Sequence, residues 1–297
     1  MNFFEIKILK FAPIMTTPLL SEIDAFIQSA LAEDVGSGDH TTLATIPADH
    51  TGKARLLIKE NGVLAGMLAA ERVCKAVDVE LAFHPILKDG DHIKNGDIAF
   101  TLEGRTQSIT IAERLLLNIM QRMSGIATHT HRIQQLISHT SCKLLDTRKT
   151  TPGFRLFEKW AVKIGGGENH RFGLYDMILI KDNHVDFAGG MERALTNVRE
   201  YCIQKDLKIP IEAEARNLED VHKIVNSGMV FRILLDNFSP AQIKEAVDWI
   251  DGRIQTEASG GITEKNVVAY AEAGVDFISM GALTHQIQSL DFSLKSY

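Results

Sequence analysis

Cys142-Lys143-Leu144-Leu145-Asp146-Thr147-Arg148-Lys149-Thr150-Thr151-Pro152-Gly153 changes character part-way through. Cys142 to Leu145 read as an apolar strand that runs into a cluster of charge and hydroxyls. Two further clusters follow: Lys163-Ile164-Gly165-Gly166-Gly167-Glu168-Asn169-His170-Arg171 and Leu179-Ile180-Lys181-Asp182-Asn183-His184. Between 148 and 184, seven Lys/Arg and two His stand against four Asp/Glu, in a chain of formal net charge −6. A local basic pocket in an acidic chain suits a small anion better than a polyanion.

Outward from this stretch the second half alternates. Strands are expected at 142–147, 177–181, 209–215, 231–236, 253–258 and 276–280. Helices are expected near 155–164, 191–204, 217–227, 240–250 and 263–273. Ser239-Pro240 is an N-cap followed by proline at the first helical position, and Gly228 and Gly274 follow helix ends. Apolar strands alternating with helices predict a parallel sheet, either a barrel or an open doubly wound sheet. Arg148, Lys181, Glu214, Asp236, Ser259 and Gly281 all stand at or just past the C-terminal ends of these strands. That favours a barrel whose βα loops build the site.

The first half reads differently. Residues 19–33 carry helical periodicity, and Asp34 to Asp39 end that helix in turn chemistry that continues as a polar loop through His40-Thr41-Thr42. Ala54 to Ile58 and Val63 to Ala65 flank Glu60-Asn61-Gly62 as a hairpin. Residues 67–77 are helical, and 79–83 and 98–103 are strands. A long helical pattern over 111–138 bends or breaks at Ser124-Gly125. The fold class expected is α/β: an incomplete parallel α/β barrel, residues 121–285, with an N-terminal α+β domain, residues 1–120, carrying a small antiparallel sheet.

Arg148, Lys149, His170, Arg171 and Lys181 offer several positive groups to a dianion. Arginine grips a carboxylate with two parallel hydrogen bonds, and lysine adds a point charge. For Arg155 and Lys159 a solvated basic face is the reading, with Glu158, Glu168 and Asp176 as partners. Glu214 and Asp236, at neighbouring strand ends, can hold Mg2+ against a pyrophosphate. Glu212 is the rival to Glu214, two residues earlier on the same strand face. Gly165-Gly166-Gly167 permits close backbone approach to a ligand. Ser259-Gly260-Gly261 leads into a helix capped by Thr263, and its amides make an anion site. His129 and His131 lack acidic or cysteine partners at ligand spacing and are read as structural.

Composition narrows the classes. The 297 residues are 45% hydrophobic and 24% charged, as in globular proteins. There is no basic arm for nucleic acid and no apolar run of membrane length. Cys74, Cys142 and Cys202 are scattered and fit a reducing cytoplasmic compartment. The opening MNFFEIKILKFAPIM is a poor signal peptide, interrupted by Glu5, Lys7 and Lys10. It is read as an extension, with Met15 as the alternative start.

Asp-Thr-Arg-Lys-Thr-Thr-Pro-Gly (146–153), Gly-Gly-Gly-x-x-His-Arg (165–171) and Ile-Lys-Asp-Asn-His (180–184) resemble the signature of the quinolinate phosphoribosyltransferases. Glu257-Ala258-Ser259-Gly260-Gly261-Ile262 and Ile278-Ser279-Met280-Gly281 extend the likeness, which runs from about Leu19 to the C-terminus. The resemblance implies a seven-stranded incomplete barrel, one strand more than counted above, and a tail, 286–297, that packs on the N-terminal domain. It implies conversion of quinolinate and 5-phosphoribosyl 1-diphosphate to nicotinate mononucleotide, pyrophosphate and CO2 in NAD synthesis. Lys149, Lys181, Glu214 and Asp236 are then catalytic. Thr147, Arg148, His170, Arg171, Ser259, Gly260, Gly261, Met280, Gly281 and Ala282 bind substrate. Arg114 is supplied by the partner chain of a homodimer, or a higher oligomer, with shared active sites. The alternatives are a molybdenum-operon relative acting on another aromatic acid, and a non-catalytic barrel that binds a phosphate ligand.

Overall fold

A computed structural model of the chain describes residues 18–297. The alternative start at Met15 lies outside them. Two compact units divide the described residues: 133–148 with 168–282, and 18–132 with 149–167 and 283–297. Among the described residues no helix is long and apolar enough to cross a membrane.

In chain order the elements are α1 (Leu20–Val35), α2 (His40–Thr45), β1 (Thr51–Ile58), β2 (Gly62–Val63), α3 (Met67–Val77), β3 (Ala82–Pro85), β4 (His92–Ile93), β5 (Ile98–Arg105) and α4 (Thr106–Leu136). Then come β6 (Lys143–Leu145), α5 (Arg155–Ile164), β7 (Ile178–Ile180), α6 (Asp182–Ala188), α7 (Met191–Lys205), β8 (Ile211–Ala215) and α8 (Leu218–Asn226). Last are β9 (Arg232–Asp236), α9 (Pro240–Ile250), β10 (Gln255–Ser259), α10 (Val267–Glu272), β11 (Phe277–Ser279), α11 (Ala282–His285) and β12 (Phe292–Ser296).

Residues 133–148 with 168–282 carry a six-stranded parallel sheet in the order β6-β11-β10-β9-β8-β7. The further strand implied by the resemblance is reduced to one parallel bridge, Leu145 to Glu168, on the free side of β6. The sheet curls. His170, two residues past that bridge, reaches Glu212 of β8 at 3.0 Å and Glu257 of β10 at 3.7 Å. The incomplete α/β barrel expected from the sequence is present. The strand interiors are apolar, with Leu144, Ala213, Ile233, Leu235, Ala258 and Ile278 fully buried.

The other unit carries the small antiparallel sheet, β12-β1-β5-β3. The C-terminal strand β12 pairs along β1 from Ala54↔Ser296 to Ile58↔Phe292. Phe26, Phe154 and Phe157 form an aromatic cluster with ring centroids 4.7–5.4 Å apart, each pair adding about 1 kcal/mol beyond its buried area.

Several local expectations fail here. The Glu60-Asn61-Gly62 hairpin does not form, because β5 and β12 already occupy both edges of β1; β2 pairs instead with β4. Residues 40–42 are not loop: Asp39 accepts the Thr42 N–H and hydroxyl and caps α2. The strand expected at 79–83 starts at Ala82, since Asp78 holds Glu80 and Leu81 in a turn. Helix α4 runs unbroken through Ser124-Gly125. There Ser124 Oγ bonds to both polar groups of the Ala65 backbone. Gly125 is glycine for clearance: a Cβ would lie 2.3 Å from the Gln288 carbonyl oxygen. Lys159 is not on a solvated face. Helix α5 buries six successive residues, Phe157 to Val162, so no side of that stretch meets water.

Candidate active site

Because the strands are parallel, their C-terminal ends share one end of the barrel. Thr147 and Arg148 follow β6, His170 and Arg171 follow the Glu168 bridge, and Lys181 follows β7. Glu214 is the penultimate residue of β8, and Asp236 and Ser259 end β9 and β10. Met280, Gly281 and Ala282 follow β11. The structure therefore gathers all of these sequence-predicted residues at one end of one unit. Lys149 and Arg114 are counted with the other unit. There the Lys149 carbonyl accepts from Thr284 Oγ1 at 2.8 Å, and Arg114 is exposed on α4.

The cationic part is built on Asp146, which is wholly buried. Its carboxylate accepts the His170 N–H at 2.9 Å and the Asn169 side-chain amide. That fixes the turn carrying His170 and Arg171, both 6% exposed. Arg171 donates from Nη1 to the Met177 carbonyl at 3.2 Å. Burial, and then the nearby Arg148 guanidinium, press its pKa below the usual arginine range, while Glu212 opposes the shift. Arginine is the residue type that grips a carboxylate with two parallel hydrogen bonds, and Arg148 is near enough to Arg171 for its charge to be felt.

The acidic part lies at β7 to β9. Burial pushes Glu214 up to about 6, and the charges of Asp236 and Asp182 push the same way; Lys181 opposes them. A buried Glu214 with the carboxylate of Asp236 near enough to raise its pKa is a set of oxygen donors that fits a hard divalent cation such as Mg2+. This separates the two glutamates of β8: Glu214 senses Asp236, whereas Glu212 faces His170.

The glycine end lies at β10 and β11. Gly260 and Gly261 have φ of +91° and +61°, and a Cβ on Gly260 would stand 2.3 Å from Asn237 Oδ1. Asn237 itself donates its N–H to the Ser259 carbonyl at 2.9 Å. The following helix begins at Val267, not at 263. Asn266 Oδ1 takes the Thr263 N–H at 2.7 Å and its Nδ2 donates to the Gly261 carbonyl, tying the intervening residues into a turn. Any anion here meets loop amides rather than a helix terminus.

The sequence offered Glu212 only as the rival to Glu214 for the metal, and did not single out Asp146, Glu257 or Arg232 as parts of the site. Among the described residues, His170, Glu212 and Glu257 are the one group with three candidate metal-ligand atoms all within 4.8 Å of one another. A metal does not fit it. The Arg171 N–H donates to His170 Nδ1 at 2.7 Å, so Nδ1 is unprotonated and Nε2 carries the proton that a ligand nitrogen must lack. Arg232 Nη1 also stands 3.3 Å from Glu257 Oε2.

Comparison with known proteins now bears on this arrangement. The family model for the quinolinate phosphoribosyl transferase C-terminal domain matches residues 126–295, and that for the N-terminal domain matches residues 39–124. The chain belongs to the quinolinate phosphoribosyltransferase family. It is 46% identical over 289 residues to the chloroplastic nicotinate-nucleotide pyrophosphorylase [carboxylating] of Arabidopsis thaliana, covering 92% of this chain and 82% of that one. It is 37% identical to a probable nicotinate-nucleotide pyrophosphorylase [carboxylating] of Synechocystis, covering 96% of each. The crystal structure of NadC from Streptococcus pyogenes superposes with a TM-score of 0.89 at 38% identity, covering 95% of this chain and all of the other. The nicotinate-nucleotide pyrophosphorylase of Francisella tularensis gives 0.86 at 38%, with 93% and 96% covered.

Proposed function

We propose that this protein transfers the 5-phosphoribosyl group from its 1-diphosphate to quinolinate, giving nicotinate mononucleotide, pyrophosphate and CO2 on the route to NAD. The observation that carries the reading is the grouping at one barrel end of Arg148, Arg171 and Lys181 with an acidic pair and a glycine turn. Family membership supports it.

Chemically the steps are simple. The quinolinate ring nitrogen forms a bond to C1 of the ribose as the C1–oxygen bond breaks, and pyrophosphate leaves with that electron pair. The ring nitrogen becomes cationic. The bond to the adjacent carboxylate then breaks, CO2 departs, and the pair left on the ring carbon takes a proton from water. Arg148, Arg171 and Lys181 bind and orient the dicarboxylate, with Lys149 as a further cation of the same loop. This is placement and electrostatics, the terms that carry such transfers. Ser259, Gly260, Gly261 and the Met280-Gly281-Ala282 turn offer backbone to phosphate. Glu214 and Asp236 would hold Mg2+, which neutralises the pyrophosphate when bound.

The working unit proposed is a homodimer, with Arg114 entering the neighbouring chain's site. The proposed compartment is the cytoplasm, consistent with three cysteines that are all free thiols. The deciding experiment incubates the protein with labelled quinolinate, donor and Mg2+ and measures CO2 and nicotinate mononucleotide. Both are expected from quinolinate. Nucleotide formed from nicotinate and none from quinolinate would overturn the assignment.

A further inference from the structure

We infer that Glu212, backed by Glu257 and Arg232, is the positioning residue that aims His170 and Arg171 at the substrate. The inference rests on the phosphoribosyltransferase reading for its substrate. Its geometry does not.

The His170-Arg171 turn is held at three points. Asp146 takes the His170 backbone N–H, and His170 Nδ1 takes the Arg171 N–H, so the ring is tied to its own backbone and keeps its proton on Nε2. The third point is Glu212: Nε2 stands 3.0 Å from its Oε2 in a close approach that is not an aligned hydrogen bond, since both Glu212 oxygens are buried without a hydrogen-bond partner, and Glu257 Oε2 is next at 3.7 Å. Both carboxylates are wholly buried. Burial raises the Glu212 pKa, and the charges of Arg232 and, less, of Arg171 oppose the rise; Arg171 Nη1 is itself on the Met177 carbonyl. One carboxylate thus restrains the imidazole and attracts the guanidinium.

Glu257 and Arg232 form the surroundings of Glu212: a Glu257 carboxylate oxygen lies within 4.8 Å of it, and the charge of Arg232 favours its ionised form. Arg232 opens β9, at the strand end opposite Asp236. Its Nη1 lies 3.3 Å from Glu257 Oε2, its Nε and Nη2 donate to Gln255 Oε1, and its guanidinium stacks 4.2 Å from the Phe277 ring centroid. A group of this kind is a poor way to stabilise a barrel interior: buried ion pairs are commonly no better than apolar side chains of equal volume, and often worse. The contact pattern accounts for it as orientation, since each of its members is tied directly or through one neighbour to the His170-Arg171 turn.

Glu212→Gln and Glu212→Leu test this, with each substrate titrated separately. Folded variants should raise KM for quinolinate about tenfold or more while KM for the diphosphate donor stays within about twofold, and Leu should be worse than Gln, which keeps an acceptor for Nε2. An unchanged quinolinate KM in both folded variants, or an equal rise for both substrates, would overturn the proposal. Should the variants fail to fold, 15N spectra of the wild-type histidines decide it. His170 should be neutral with its proton on Nε2, in slow exchange with solvent, and a proton on Nδ1 would sink the idea. Wild type inactive on quinolinate would instead defeat the functional reading, leaving the spectra to judge the positioning.

Discussion

Glu257 sits wholly buried in a parallel strand, with Leu234 and Phe277 as its register partners on the two sides. Burial and the charge of Glu212 push its pKa up to about 7, against an ordinary value of 4.5; Arg232 pulls the other way. The folded protein therefore binds this proton more tightly than the unfolded chain does. The resulting stabilisation is fully present below about pH 4.5 and is lost as pH rises through about 7. Glu257→Gln removes this residue's contribution and leaves that of Glu212, whose pKa burial also raises. The variant's melting temperature should match wild type near pH 4.5 and exceed it by several degrees at pH 8; a difference that is constant with pH would refute this. Sequence alone did not reveal Glu257 or Glu212 as a pair. Alternation along a strand says which residues share a face, but not that two separated strands aim at one histidine. Arg148, Lys181, Glu214 and Asp236 were legible because a charge closing an apolar run has few structural reasons to be there. Asp146 stood in the same cluster, yet its role is to bind backbone amides, which residue type does not disclose.

At the scale of elements, the barrel helices were legible wherever periodicity and capping agreed, as at Ser239-Pro240, where Ser239 accepts from Gln242 and caps α9. Two readings failed where a distant partner decided the outcome. The turn signal at Asn61-Gly62 lost to β5 and β12, and the glycine in α4 marks a close passage rather than a break. In the β10 loop Thr263 accepts the Val267 N–H and gives its own N–H to Asn266, as a cap does, but residues 264–266 wind as a turn and the helix starts only at Val267. The two glycines of that loop should then behave differently. Gly260→Ala places a Cβ 2.3 Å from Asn237 Oδ1 and 2.9 Å from the Asn237 backbone nitrogen, so the turn must shift. KM for the diphosphate donor should rise at least about tenfold. Gly261→Ala meets nothing within 4 Å and faces only the left-handed backbone, about 1 kcal/mol. Equal effects in a pair of titrations would show that the loop does not contact the donor. At the neighbouring strand ends, Asp236→Asn should raise the Mg2+ concentration for half-maximal rate more than it raises KM for quinolinate, and EDTA should stop wild type. Indifference to EDTA would remove the metal from the scheme.

At the scale of the whole molecule, the open question is whether one chain makes one complete site. Arg114 is an exposed arginine on α4, and as a lone surface group it has no claim on the chemistry. The proposal that it serves the partner's site makes a demand that no single-chain arrangement meets. Arg114→Ala and Lys181→Ala should each retain little activity while keeping wild-type melting behaviour, since both side chains are exposed and neither packs in a core. Mixed in equal amounts and allowed to exchange subunits, they should recover. In a two-fold dimer, random exchange makes about half the molecules mixed, and each mixed dimer holds one site lacking both residues and one site with both intact. Recovery should therefore approach about a quarter of wild-type activity, measured as CO2 released from quinolinate. Exchange is to be shown independently, with one variant carrying a mass tag. Mixed dimers seen by mass, with no gain in rate, would place Arg114 in its own chain's site or outside the reaction.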